Sequence, residues 1–266
     1  MHYNPSAATV SASAPWRWAL TGALVGLALA LAWFAPARWL ATLVRQGTGE
    51  HVALDAPRGT FWQGSAQLVL SGGTGSRDAM ALPGQLVWRI RPAWNGLNVQ
   101  LSAECCTSQA LLMTVTPAWS GLRLAVADAQ SHWPASLLAG LGTPWNTLQA
   151  QGRLQASTQG FSAQWLQGRL SVAGRVQLDA IAISSRLSTL RPMGSYRLIL
   201  RGGASPTLEL ATLEGNLQLS GRGHWAGQRL HFDGTAKAAP ESVDALSNLL
   251  NIIGRRNGAT AIIKVG

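Results

Sequence analysis

"QLVWRIRPAWNGLNVQL", residues 85–101, decides the fold. Leu86, Trp88 and Ile90 alternate with Val87, Arg89 and Arg91. After Asn95-Gly96 the alternation resumes, with Leu97, Val99 and Leu101 set against Asn98 and Gln100. Side chains spaced by two share one face of a strand, so each run reads as a strand with one buried face. Asn-Gly between them is a hairpin signal, because both residues accept the positive φ that a tight turn needs.

The same pattern runs on. Leu122, Leu124 and Val126 alternate, as do Tyr196, Leu198 and Leu200, then Leu217 and Leu219, and Leu230 and Phe232. Turn signals separate the runs at Ser120-Gly121, Gly202-Gly203 and Asp233-Gly234. The chain also repeats itself. "PAWNGLNVQL" at 92 returns as "PAWSGLRLAV" at 117, an offset of 25, and "QGRLQA" at 151 returns as "QGRLSV" at 167, an offset of 16. An offset of 16 reads as two short strands with their turns, so the expected body, residues 51–266, is an antiparallel β-meander. In "RGTFWQGSAQLVL", 58–70, the pair Phe61-Trp62 sits between Gly59 and Gly64 and reads as the start of the first strand, one ring plugging the open end of the sheet.

The C-terminus changes period. Beyond Pro240, Val243, Leu246, Leu250 and Ile253, with Leu249, recur at helical spacing. Glu241 and Asp244 lie in the first turn and Gly254 reads as a C-cap residue. "RRNG" reads as a turn and "ATAIIKV" as a last strand. The apolar stripe needs a cover, and the sheet is the expected one.

The N-terminus differs from both. Trp18–Ala37 is a run of 20 uncharged residues, which as a helix would rise about 30 Å, the thickness of a bilayer core. Trp16 and Trp18 flank one end and Trp33 and Trp39 the other, and Arg17 and Arg38 bracket the run. The expected organisation is a cytoplasmic tail 1–17, a single transmembrane helix 18–37, a linker 38–50 and a periplasmic β-rich domain 51–266. A cleavable signal peptide ending at "APA", 35–37, is the rival reading. Gly22, Gly26 and Ala30 recur every four residues, a spacing that allows close pairing with another helix.

Composition fits this outline. Of 266 residues, 47% are hydrophobic and 12% charged, with 29 glycines and 12 tryptophans, so the chain is too apolar and too weakly charged for disorder. The net charge of +10 comes almost wholly from arginines scattered singly on strands, which argues against a nucleic-acid site. Cys105 and Cys106 are adjacent, so they cannot staple distant segments, and no Cys/His pattern with zinc spacing occurs.

No catalytic constellation emerges. His2, His51, His132, His224 and His231 fall in no paired metal spacing. His231 and Asp233 share a strand face without a nucleophile motif beside them. "GRGHWAG", 221–227, mimics a dinucleotide fingerprint but is followed by strand residues instead of a helix. The expectation is therefore no catalytic, cofactor-binding or metal site, and no enzyme.

Four stretches together resemble the type II secretion system protein N family: the N-terminal apolar segment, "GTFWQGSAQL", "GQLVWRI" and the ending "LSNLLNIIGRRNGATAIIKVG". They cover the chain in order, and Leu249–Gly266 is the most specific. Phe61 stands where the family pattern leads one to expect an aliphatic residue. The resemblance implies a structural component of the type II secretion system, anchored in the cell inner membrane. Its C-terminal domain would lie in the periplasm, its partners would be the bilayer and other inner-membrane or periplasmic subunits, and its role would be protein secretion across the outer membrane. The alternative is an AsmA-like periplasmic lipid-handling protein, in which a groove lined by Leu and Trp would hold acyl chains.

Overall fold

The computed structural model describes residues 16–167, 169–227 and 229–266. They fall into two compact units, one ending at Ala35 and the other spanning Pro36–Gly266.

The first unit contains one helix, α1 (Trp16–Trp33). The expected span 18–37 is thus not a single helix. The residue before a proline is disfavoured in helical conformation, and Pro36 instead caps a second helix, α2 (Ala37–Gly47). Among the described residues, no helix is long and apolar enough to cross a membrane. The expected tail 1–17 lies outside the described residues except for its last two.

The expected linker 38–50 is mostly α2. Ala37, Leu40, Ala41 and Val44 recur at i, i+3, i+4 and i+7 and pack on the sheet, while Arg38 and Arg45 face outward. Thr48 ends the helix by bonding the Val44 carbonyl through both its amide (3.0 Å) and its hydroxyl (2.8 Å).

The rest of the second unit is one antiparallel sheet of 16 strands. In chain order they are β1 (Val52–Gly59), β2 (Gln63–Ser71), β3 (Ala79–Ala81), β4 (Leu86–Ala93), β5 (Gly96–Ala103), β6 (Leu111–Ala118), β7 (Gly121–Val126) and β8 (Ala129–Pro134). A 3₁₀ segment (Ala135–Leu141) and the short α3 (Trp145–Leu148) follow. Then come β9 (Gln151–Leu166), β10 (Arg169–Ser184), β11 (Gly194–Arg201), β12 (Thr207–Gly215), β13 (Leu217–Ala226), β14 (Arg229–Ala238), α4 (Val243–Ile253), β15 (Arg255–Asn257) and β16 (Thr260–Val265). The pairing order is β1-β2-β4-β5-β6-β7-β9-β10-β11-β12-β13-β14-β16-β15, with β3 added to β2 and β8 to β9. It is the expected meander, since nearly every strand pairs with its chain neighbour.

The alternation in 86–91 is realised as read: Leu86, Trp88 and Ile90 are buried while Val87, Arg89 and Arg91 are exposed. The turn differs by one residue, since Ala93 pairs with Gly96 across Trp94-Asn95 and neither Asn95 nor Gly96 takes a positive φ. The repeat at offset 25 is one hairpin used twice, since Ala118 pairs with Gly121 in the same way. The repeat at offset 16 differs from expectation. It spans the single 16-residue strand β9 instead of two short strands. At Gly160 (φ 56) and Gly174 (φ 80) the pair β9/β10 passes through a bulge and continues, so a glycine that could have turned the chain only shifts its register.

Phe61 and Trp62 are not the start of a strand but the turn from β1 to β2. Their rings meet edge to face at 5.2 Å. The Trp88 indole N–H donates to the Phe61 carbonyl (3.1 Å), and the Ile90 amide donates to the Trp62 carbonyl (2.6 Å). Gly59 takes φ +88, and a Cβ on Gly64 would meet the Arg58 carbonyl oxygen first and then the Trp88 ring at 2.6 Å. One glycine therefore makes the turn and the other makes room for the largest buried side chain, Trp88, which is 1% exposed.

The core lies on one face of the sheet, in two clusters. The first joins α2, Leu54, Ala66, Leu86, Trp88, Ile90 and Leu137. The second joins Leu154, Tyr196, Leu217, Ala236 and Ala261 to Leu246, Leu249 and Leu250 of α4. The C-terminal helix is the expected cover. Gly254 is the C-cap residue, as expected, though in extended backbone (φ −175) and not left-handed, and its lack of a side chain admits the Ile262 carbonyl. Arg255–Asn257, expected as a turn, is strand β15, because the turn falls at Gly258 (φ 61). The two cysteines form a disulfide with each other (S–S 2.06 Å) in the turn between β5 and β6.

Leu250→Ala, at a side chain with no exposure, should cost about 2–5 kcal/mol, visible as a lower Tm. Unchanged melting would mean that α4 does not cap the sheet. Gly64→Ala should cost about 1–3 kcal/mol through clashes with the Arg58 carbonyl and the Trp88 ring, visible as a lower Tm, and unchanged melting would contradict the close packing.

Candidate functional site

The residues with chemistry are dispersed. The His224 and His231 rings stack across β13 and β14 at 5.6 Å. Asp233, two residues from His231, stands instead beside Lys264 of β16 at 3.7 Å, both highly exposed. His51 lies 3.1 Å from the Ser71 carbonyl. Among the described residues, no three His, Cys, Asp or Glu side chains cluster as a metal site would require. "GRGHWAG" lies within and just beyond β13, followed by β14.

The outer face of the sheet carries a polar ladder. Asp179 and Arg197 are direct partners in the register of β10 and β11, and the guanidinium donates to both carboxylate oxygens at 2.8 Å. Gln177 donates to the same carboxylate (3.0 Å) and accepts from Arg175 (2.9 Å). The bond from Arg197 holds the Asp179 carboxyl below its ordinary value.

On the opposite face the side chains of the same strands line a cavity of about 290 Å³. Its floor is sheet: Leu154, Leu178, Tyr196, Leu198, Leu210 and Leu219. Leu138, Trp145 and Leu148 close one side, from the 3₁₀ segment and α3, and Leu249 and Ile253 of α4 close the other. The register explains the lining, since Leu178 pairs with Leu198 and Leu198 with Leu210, so their side chains share one face across three strands.

The single polar group inside this lining that lacks a partner is the Tyr196 hydroxyl. Tyr196 is 6% exposed and its oxygen makes no hydrogen bond among the described residues. Burial pushes its pKa up. A Cβ on Gly194 would meet that oxygen at 2.8 Å, so glycine there gives the phenol its place. A cavity whose surface is almost wholly apolar suits an apolar guest. Sequence reading found Tyr196, Leu198 and Leu217 as strand residues but not the cavity, which depends on helical segments remote in the chain.

Two outcomes test this description. Because the folded-state value of Asp179 lies below the ordinary 3.8, its contribution to stability is complete above that pH and is lost as the pH falls through the folded value. The stability gap between wild type and Asp179→Asn should therefore be constant from about pH 7 to 5 and close below about pH 4. A gap flat down to about pH 3 would contradict the ion pair. Tyr196→Phe removes a buried hydroxyl without a partner, so Tm should hold or rise; a marked fall would mean that the hydroxyl is bonded.

Neither a curated protein nor a solved structure matches the chain. A family model does, over residues 50–263, and its description is type II secretion system (T2SS), protein N.

Proposed function

From the chain's membership of the type II secretion system protein N family, we propose that it is an inner-membrane-anchored accessory subunit of that system, acting without catalysis in the export of folded proteins from the periplasm. The match supports this reading most directly, because it takes in the sheet from before β1 to β16, and α4 with it. Other secretion subunits are the partners that membership suggests.

The anchor is the finer part of the proposal. Leu20, Leu24, Leu27 and Leu31 of α1 are all exposed, and a helix apolar on all sides is stable only in an apolar surrounding. Its uncharged part, Trp18–Trp33, has 16 residues, about 24 Å of rise. That is a turn or so short of a bilayer core, a mismatch met by local thinning or by association. Pairing through Gly22, Gly26 and Ala30 would serve the second. With the N-terminus cytoplasmic, the sheet lies in the periplasm.

Deleting the gene in a secreting host should leave exported proteins in the periplasm, and the full chain should restore export. The restored protein should resist alkaline extraction from membranes and keep its N-terminal segment by mass spectrometry. A mature N-terminus at Arg38 would overturn the anchor, and normal secretion in the deletion strain would overturn the accessory role. His231→Ala with Asp233→Ala should leave export intact; loss of export with normal protein levels would contradict the non-catalytic reading.

The cavity under α4 favours a second reading, the handling of a lipid chain by the same subunit. Its volume of about 290 Å³ is near the lower end of ligand pockets. Native mass spectrometry should then find an acyl species on the wild type that Leu210→Trp loses. Equal, ligand-free masses would remove this reading.

A further inference from the structure

Four adjacent hairpins of the sheet place a tryptophan at or beside their turns at one end. Strands β1, β4, β6 and β9 run toward that end, and β2, β5, β7 and β10 run away from it. Trp62 lies in the β1–β2 turn, Trp94 in the β4–β5 turn, Trp119 in the β6–β7 turn, and Trp165 is the next-to-last residue of β9. Trp94 and Trp119 are wholly exposed (106% and 108%), and Trp165 is 53% exposed. Neighbouring hairpins are two strands apart, so the row has a spacing of about 10 Å and a length of about 30 Å.

The charge at this end has one sign. The segments 57–66, 89–98, 116–125 and 162–172 contain Arg58, Arg89, Arg91, Arg123 and Arg169 and no Asp or Glu. All five arginines are exposed. Acidic residues such as Glu50 and Glu104 fall at the opposite ends of the same strands, before β1 and after β5.

The chain also joins the sheet here. Pro36 bridges to Thr60 at the β1–β2 turn, and α2 runs from that point back along β1 with Trp39, 47% exposed, in its first turn. Pro36, the first residue of the second unit, therefore lies at the tryptophan end of the sheet.

We propose that this tryptophan–arginine rim rests on an anionic bilayer surface. Indole rings are favoured at the level of lipid headgroups, where one edge is apolar and the N–H is wet. Guanidinium groups add attraction to phosphate and to anionic lipid. A water-facing hairpin tip gains nothing from an indole, yet two successive tips carry one in the same frame, "PAW" at 92–94 and 117–119. That the surface belongs to the membrane holding α1 rests on the anchor proposed above. The rim then keeps the sheet upright, with β1 to β10 standing on the bilayer.

The test uses the full chain reconstituted in phosphatidylglycerol vesicles and, separately, in phosphatidylcholine vesicles, each with lipid brominated just below the headgroup. The emission lost in the double variant Trp94→Ser, Trp119→Ser isolates those two indoles from the tryptophans of α1 and α2. In phosphatidylglycerol this difference emission should be shifted to the blue and quenched at least about twofold by the brominated lipid. Arg91→Gln with Arg123→Gln should weaken the quenching, and phosphatidylcholine should support less of it. Difference emission that is water-like and unquenched in both lipids overturns the rim, and it leaves the anchor standing if the protein floats with the vesicles after an alkaline wash. Quenching by protein that the wash removes keeps the rim and overturns the anchor. A blue shift that appears only on adding other secretion subunits overturns the rim in favour of a protein partner.

Discussion

The fold depends on covering one face of an open sheet. An antiparallel ladder in which alternate side chains are apolar has one face that water disfavours, and here all 16 described strands belong to one sheet, so no second sheet among them covers it. The chain meets the constraint with few helical residues: α2 over β1 and β2, Leu137 of the 3₁₀ segment in the middle, and α4 over the last strands. Each covering element sits where buried side chains are concentrated. Trp88 fills the first cluster and the α4 leucines fill the second, and between the 3₁₀ segment and α4 the cover is incomplete, which leaves the cavity.

The strands were legible because period 2 is a local property. Leu86, Trp88 and Ile90 declare their face within five residues, and α4 is equally plain from Val243, Leu246 and Leu250. Other features were not legible, and three of them show the physical reason. Gly160 looks like a turn residue but sits in a bulge, and only its partner strand decides between the two. Pro36 interrupts an apolar run that hydropathy alone reads as continuous, and the residues after it form an amphipathic helix because the sheet supplies the apolar surface they need. Phe61-Trp62 reads as a strand start, but the bonds from Trp88 and Ile90 that fix it as a turn come from 27 and 28 residues away (88 − 61 and 90 − 62).

Of the candidate site, Tyr196, Leu198 and Leu217 were legible only as strand residues. The cavity with Tyr196 and the row of tryptophans both follow from topology: the first needs α3 and α4 to flank the same stretch of sheet, and the second needs four hairpins to turn at the same end. Outer-face charge is arranged with similar economy. Asp179 and Arg197 face each other because β10 and β11 are in that register, whereas the arginines near the tryptophan end have no carboxylate within their own segments.

The proposed role is that of a type II secretion subunit held at a membrane. The most direct measurement is affinity purification of the full chain from gently crosslinked, actively secreting cells, followed by identification of what is attached. The account predicts that other type II secretion subunits are enriched over a control that carries the tag alone. A chain recovered from the membrane fraction without any secretion subunit, in cells that export normally, would contradict it.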